Sequence, residues 1–282
     1  MPQAAIITDS TSDLPPSVSI QFGITIVPLS VNFEDKTYVD NGKSIKQDDF
    51  YNMMAKSDQM PKAAQPTPGD FLKAYSQLLK EEREIISVHI SSKLSGTINS
   101  AQLAKKQLNG QKIHIIDSQM VHMACGFMAR KAAVLAEEGT GAEEIIGELD
   151  DFRKKINSLF VPKYLDNLIK GGRISKVKAT FANLLEVKPI LTIKDGEVSM
   201  YKKAKKWEQA KKELLDSMDE LIAGEGKLTV SIGDVASDEE ADWVAEAIKE
   251  RFAPSEIIRA KIGIVVGSHL GIGGLGITFY QE

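Results

Sequence analysis

The chain has 282 residues, 35 Lys and Arg against 39 Asp and Glu, and a formal net charge of −4. That balance excludes a nucleic-acid binder driven by overall charge, and 43% hydrophobic residues exclude a disordered chain. The length accommodates two domains of ordinary size.

Ala4–Thr8 is an apolar run that ends in Asp9-Ser10-Thr11-Ser12-Asp13. It predicts a strand and a polar loop, then a short helix over Val18–Phe22 introduced by Pro15 and Pro16. Ile24–Phe33 predicts a second strand, which Pro28 demotes in part to an edge or bulge, and Thr37–Val39 is positioned to pair with it. Gln47–Ala55 predicts a helix with Phe50, Met53 and Met54 on one face. Ala63–Asp70 reads as a loop whose second proline, Pro68, starts a helix over Phe71–Lys80.

The central unit follows. The β-type run Glu84–Ile90 leads through Ser91–Gly96 into a helical run beginning at Thr97. Small hydroxyl residues and one glycine at a helix start can hold an anion on backbone N–H groups and hydroxyl donors. Lys112–Ile116 predicts another strand, with helices over Val121 to about Glu138 and over Glu143–Ile156. Strand and helix alternate, so this half predicts a mostly parallel α/β sheet.

Past residue 157 the pattern changes. Tyr164–Lys170 and Lys178–Glu186 predict short helices, and Asp195-Gly196 predicts a hairpin between Pro189–Lys194 and Glu197–Lys202. Trp207–Ile222 and Asp238–Phe252 predict helices, the second with Ser237 as N-cap. Strands are predicted at Lys227–Ile232, Glu256–Lys261, Ile264–Gly267 and Ile277–Tyr280. The expected organisation is an N-terminal α/β domain over residues 1–157 and a C-terminal α+β domain over residues 158–282.

Gly271-Ile272-Gly273-Gly274-Leu275-Gly276 matches G-x-G-x-x-G, but a strand follows it and no acidic residue stands some 20 positions on, so it does not read as a dinucleotide site. No G-x-x-x-x-G-K-[ST] motif is present. The four histidines form no metal-ligand spacing, and no metal or cofactor is expected. His89 and His114 lie in apolar strands and read as core residues, whereas His269 falls in a glycine-flanked loop and reads as functional. Ser95, His269 and Asp9 or Asp117 could assemble a hydrolase triad on paper, although the G-x-S-x-G elbow is absent.

Basic residues gather at Lys170, Arg173, Lys176 and Lys178, and again at Lys202, Lys203, Lys205 and Lys206. They read either as a solvated face or as a docking face for a phosphate or an acidic partner. The single cysteine, Cys125, allows no disulfide within one chain and suits a reducing cytosol. The N-terminus lacks the pattern of a signal peptide, and no run approaches the ~18 apolar residues of a membrane helix. A cytoplasmic protein is therefore expected.

These stretches, in their order and spacing, resemble the DegV family of bacterial fatty-acid-binding proteins. The resemblance rests on Ile6–Leu14, Gln65–Pro68, Ser91–Thr97, Ile116–Ser118, Leu168–Ser175, Val187–Leu191 with Asp195-Gly196, and Gly267–Gly276. It implies a fatty acid such as palmitate held between the two domains, its carboxylate near Ser95, near position 63 and near His269; Ser268 and the backbone N–H of Gly96 are further donors that could serve the head group. It further implies a non-catalytic role as the binding subunit of a fatty-acid kinase. Arg173, Lys203 and Lys205 are candidates for docking that kinase, and a transient contact with a membrane surface is allowed. Ala63-Ala64 stands where the family pattern has Thr-Ser, Leu270 and Ile272 replace Thr and Pro, and Lys205 replaces an arginine. The first change removes one hydroxyl from the expected head-group site. A hydrolase or phosphotransferase using Ser95 with His269 is the alternative reading. A long acyl chain suits the first reading, since burying it at ~0.8 kcal/mol per methylene gives on the order of 10 kcal/mol before ordering costs.

Overall fold

The computed structural model of the chain describes residues 4–81, 83–109, 112–174, 187–222 and 226–282. They fall into two units: Met1–Ser44 with Ala63–Lys154, and Ile45–Lys62 with Lys155–Glu282. A single boundary near residue 157 does not include the excursion of residues 45–62 into the second unit.

In the first unit β1 (Ala4–Asp9), β2 (Thr25–Val27), β6 (Glu84–His89) and β7 (Ile113–Asp117) form a sheet in the order β2-β1-β6-β7. Every pairing in it is parallel. All six residues of β1 are buried, as expected of a strand covered on both faces. The chain moves from β1 to β2 on one side and later returns to β6 on the other. The loops after β1 and β6 therefore diverge at a topological switch point, where open α/β sheets leave room for ligands.

A 3-10 turn, Ser10–Ser12, and α1 (Pro16–Gln21) connect β1 to β2. The second strand predicted over Ile24–Phe33 divides around Pro28. Its second half, β3 (Ser30–Phe33), joins a separate sheet with β4 (Lys36–Val39) and β5 (Lys62–Ala64), in the order β4-β3-β5. Position 63, expected in a loop, thus lies in a strand. Proline cannot donate to a ladder, which accounts for the break.

Helix α3 (Pro68–Leu79) starts at Pro68 with a capping box, in which Asp70 N donates to the Thr67 hydroxyl at 3.2 Å and Thr67 N to the Asp70 carboxylate at 2.8 Å. Its Phe71 and Tyr75 pack with Ile7, Ile85 and Ile113 and with Ala101 and Ala104 of α4 (Thr97–Gln107). Helices α5 (Met123–Glu137) and α6 (Ala142–Lys155) complete the unit.

The second unit contains α2 (Gln47–Ala55), β8 (Asn157–Val161), α7 (Asp166–Gly171), β9 (Lys188–Lys194) and β10 (Glu197–Ala204). It continues with α8 (Trp207–Leu221), β11 (Leu228–Asp234), α9 (Asp238–Phe252), β12 (Glu256–Arg259), α10 (Ile264–Leu270) and β13 (Leu275–Gln281). Its sheet runs β10-β9-β8-β13-β11-β12 and is antiparallel except for the β11–β12 pair. The β9–β10 hairpin turns on Asp195 and Gly196, with φ of 51° and 79°, as an Asp-Gly turn requires. Leu214 and Met218 of α8 and Val244 and Ile248 of α9 pack with Val230, Ile277 and Phe279 of the sheet.

Two expectations are corrected here. Ile264–Gly267 is not a strand: it opens α10, and His269 lies in that helix rather than in a loop. The β-branched run Ile264-Val265-Val266 mimics a strand locally, but packing overrides a weak propensity. Ser237 does stand at the start of α9, yet its side chain makes no capping bond, and its backbone N–H donates to Asp234 at 2.9 Å. The predicted helix over Lys178–Glu186 lies outside the described residues.

Candidate functional site

The loop between β6 and α4 belongs to the first unit. Ser91 O accepts from Leu94 N at 3.0 Å and from Ser95 N at 3.1 Å, closing a tight turn. Asp117 at the end of β7 anchors the loop by accepting from the Ser92 hydroxyl at 2.6 Å. Gly96 is the N-cap of α4. A Cβ there would lie 2.0 Å from Oε1 of Gln65, whose amide donates to Ser100 Oγ at 3.0 Å. Glycine at 96 therefore admits the Gln65 amide.

Ser95 is half-buried. Its Oγ accepts from Thr97 N at 3.3 Å and lies 2.9 Å from Thr97 Oγ1. When Thr97 donates, the Ser95 proton is available to an outside acceptor, and the chain of two hydroxyls polarises it. Ala63, on β5, contributes a half-buried methyl group and no hydroxyl.

The carboxylates considered for a triad are engaged elsewhere. Asp9, fully buried, accepts from His89 Nδ1 at 2.9 Å, from Ile90 N at 3.0 Å and from Thr11 N at 3.0 Å. His89 Nε2 lies 2.6 Å from Ser87 Oγ, which lies 2.8 Å from the Tyr75 hydroxyl. All four side chains of this series are buried, so it ties β1, β6 and α3 together as a satisfied polar core. His89 is a core residue, as expected. His114 instead is only partly buried and pairs with Glu84 at 2.7 Å. His122, at the start of α5, faces Asp13 at 2.7 Å. Burial pushes the Cys125 thiol up, which leaves it a packing residue.

His269 is in the second unit, on the last turn of α10. Its Nδ1 is buried without a hydrogen-bond partner, and burial, assisted by the Arg173 cation, pushes the imidazole down to about 4. The ring is therefore neutral at pH 7. Ser268, fully buried, donates its hydroxyl proton to Ile264 O at 2.6 Å, inside the helix. Its carbonyl accepts from Asn167 of α7 at 3.0 Å. Arg173 donates to Gly171 O at 2.7 Å. A cavity of about 420 Å³ in the same unit is lined by Met54, Met60, Tyr164, Asn167, Lys170 and Ile272, among others.

The glycines after His269 serve close approach. Gly273, with φ of 79°, would place a Cβ 2.4 Å from Lys163 Cδ, and one at Gly274 would lie 2.5 Å from Leu270 Cγ. β13 follows in place of a helix, so the run is a packing element and not a dinucleotide loop.

Of the basic residues, Lys202 is neutralised by Glu213 at 2.8 Å and Glu220 at 2.7 Å. Lys203, Lys205 and Lys206 are exposed, on β10 and the turn after it, and Arg173 is exposed as well. Lys176 and Lys178 lie outside the described residues. Among the described residues no cluster of three or more His, Cys, Asp or Glu is placed to hold a metal ion, and no helix is long and apolar enough to cross a membrane.

Asn167 escaped the sequence reading, whereas Gln65 and Gly171 stood in stretches it singled out, without the contacts they make.

A four-stranded parallel α/β unit joined to a six-stranded α+β unit, each presenting a sheltered polar donor, defines the class. The chain belongs to the DegV family: a family profile described as an uncharacterised protein of that family matches residues 3–282. A DegV domain-containing protein of Caldanaerobacter subterraneus is 31% identical over 282 residues, covering 100% of both chains. A DegV family protein of Thermus thermophilus, whose solved structure is described by its fatty acid binding, superposes with a TM-score of 0.93 at 30% identity, over 99% of this chain and 100% of that one. DegV of Bacillus subtilis, described as a fatty acid binding protein, gives 0.92 at 30% identity over 100% of both.

Proposed function

We propose that this chain binds a long-chain fatty acid and that Ser95 and His269 are ligand-binding residues, each a hydrogen-bond donor to an acceptor oxygen. The single observation that carries the reading is the full-length likeness to two solved proteins described as fatty acid binding. The local chemistry agrees. A carboxylate is acceptor-only, and Ser95, backed by Thr97, and a neutral imidazole both offer protons. Gly96 admits the Gln65 amide beside Ser95, and Ala63 leaves Ser95 a larger share of the task than a second hydroxyl would. Ser268 supports the turn carrying His269.

The bound acid is presented in the cytoplasm to a separate ATP-dependent kinase, and the acyl-phosphate formed there feeds phospholipid synthesis. Support for this step is the absence of a phosphate-binding P-loop motif in the chain together with the exposed cations Arg173, Lys203 and Lys205, which suit an acidic partner face.

Native mass spectrometry of the protein purified from a bacterial host tests the reading. The expected spectrum carries an adduct with the mass of a long-chain fatty acid, lost on delipidation and restored by palmitate. A ligand-free spectrum with no uptake of palmitate or oleate overturns it.

A further inference from the structure

Two adjacent glycines end α7, and they are glycine for different reasons. Gly172 has φ of 71°, a left-handed conformation that disfavours a side chain, and a Cβ there would meet nothing within 4 Å. Gly171 is absent from the positive-φ residues and is the last helical residue of α7, so its backbone would accept any side chain. What forbids one is His269. A Cβ at 171 would stand 2.4 Å from Nδ1 and 3.1 Å from Cε1 of that ring, and 3.3 Å from Met60 Cε.

We propose that Gly171 is a positioning residue for His269: its missing side chain lets the imidazole lie with Nδ1 sealed against α7, which places the single ring proton on Nε2. The first support is steric. A contact of 2.4 Å to a rigid ring nitrogen cannot be absorbed, so any other residue at 171 displaces the imidazole. The second is hydrogen bonding. Nδ1 is buried with no partner, and a buried orphan N–H is the rarer and costlier state of such an atom than a bare lone pair. The proton therefore resides on the other nitrogen, and the ring meets an acceptor oxygen as a neutral donor.

Three further contacts hold the arrangement. Asn167, one turn before Gly171 on the same helix, donates to Ser268 O at 3.0 Å and so fixes the backbone that carries the ring. Gly271 adopts φ of 84° with Asn167 Oδ1 3.4 Å from where its Cβ would be, which keeps the return of α10 close to that amide. Arg173, tied to Gly171 O at 2.7 Å, stands where its charge disfavours a second ring proton.

The use of this donor rests on the fatty-acid reading, whereas the tautomer is a property of the chain itself. Long-range proton–nitrogen NMR on the full chain labelled with 15N-histidine tests it, with His269→Gln assigning the signal. The wild-type protein is expected to show a protonated Nε2 and an unprotonated Nδ1 at pH 7. Gly171→Ala should shift the ring to a tautomer mixture and weaken palmitate binding tenfold or more, while Gly172→Ala keeps the wild-type tautomer. A wild-type His269 protonated on Nδ1, or Gly171→Ala with unaltered ring signals, overturns the proposal. The wild-type measurement decides the matter even if Gly171→Ala fails to fold. A correct tautomer in a protein that takes up no palmitate sinks the fatty-acid reading and leaves the role of Gly171 standing.

Discussion

The phenol of Tyr51 donates to the carbonyl oxygen of Ile262 at 2.6 Å, joining residues 211 apart in the chain. The Gly263 carbonyl lies at 3.0 Å from the same hydroxyl. A Cβ at Gly267 would sit 2.1 Å from that hydroxyl, so the glycine in α10 is what admits the phenol. This contact attaches α2 to the start of α10 and explains why residues 45–62 belong to the second unit.

Removing the hydroxyl with Tyr51→Phe should cost about 1–2 kcal/mol, because the Ile262 carbonyl loses its buried donor. Gly267→Ala should cost roughly 3 kcal/mol, since overpacking is added to the lost bond. Urea unfolding of both variants reads the difference. A Tyr51→Phe midpoint equal to that of the wild type would show that the contact contributes nothing.

Ser95→Ala should weaken fatty-acid affinity by roughly 1–3 kcal/mol, the cost of leaving a buried carboxylate oxygen without a donor. Thr97→Val should weaken it less, because it removes only the group that polarises Ser95. Fluorescent fatty-acid displacement measures both, and unchanged affinity in Ser95→Ala would remove Ser95 from the head-group site.

The stability of the chain should fall on acidification through His269. Its folded-state value is pushed from 6.5 down to about 4 by burial and by Arg173. Between these values the unfolded chain holds a proton that the folded chain does not, so stability is lost as pH falls from 6.5 towards 4 and is constant above that window. His269→Gln should reduce that loss by on the order of 2 kcal/mol. Denaturation midpoints at pH 7, 5.5 and 4.5 provide the comparison. Parallel curves for variant and wild type would refute it.

Reversing charge at Lys203 and Lys205 together should abolish acyl-phosphate formation in the presence of the kinase while leaving fatty-acid binding within twofold. These side chains are exposed and rim charges act on association. Loss of fatty-acid binding in the double variant would assign the two lysines to the ligand site.

Most local structure was legible because it is written in short-range patterns. The alternation of apolar runs predicted β1, β6 and β7. Pro68 announced α3, and Asp195-Gly196 announced the β9–β10 hairpin. Turn chemistry and hydrophobic period depend on neighbours a few residues away, so a sequence carries them openly. The same reasoning failed at Ile264–Leu270, where a β-branched run is held helical by packing around Gly267.

Partner choice was not legible. Nothing near Asp9 in the chain announces that it pairs with His89, 80 residues on, and nothing near Gly171 announces the His269 ring. The sequence by itself determined that the chain holds an α/β half and an α+β half, and which glycines and hydroxyls stand ready for close approach. Only the tertiary structure decided that α2 joins the second unit and that His269 rides on a helix with one nitrogen sealed. Such choices arise from side chains meeting across long separations, where burial and steric fit select among partners that are equivalent in sequence.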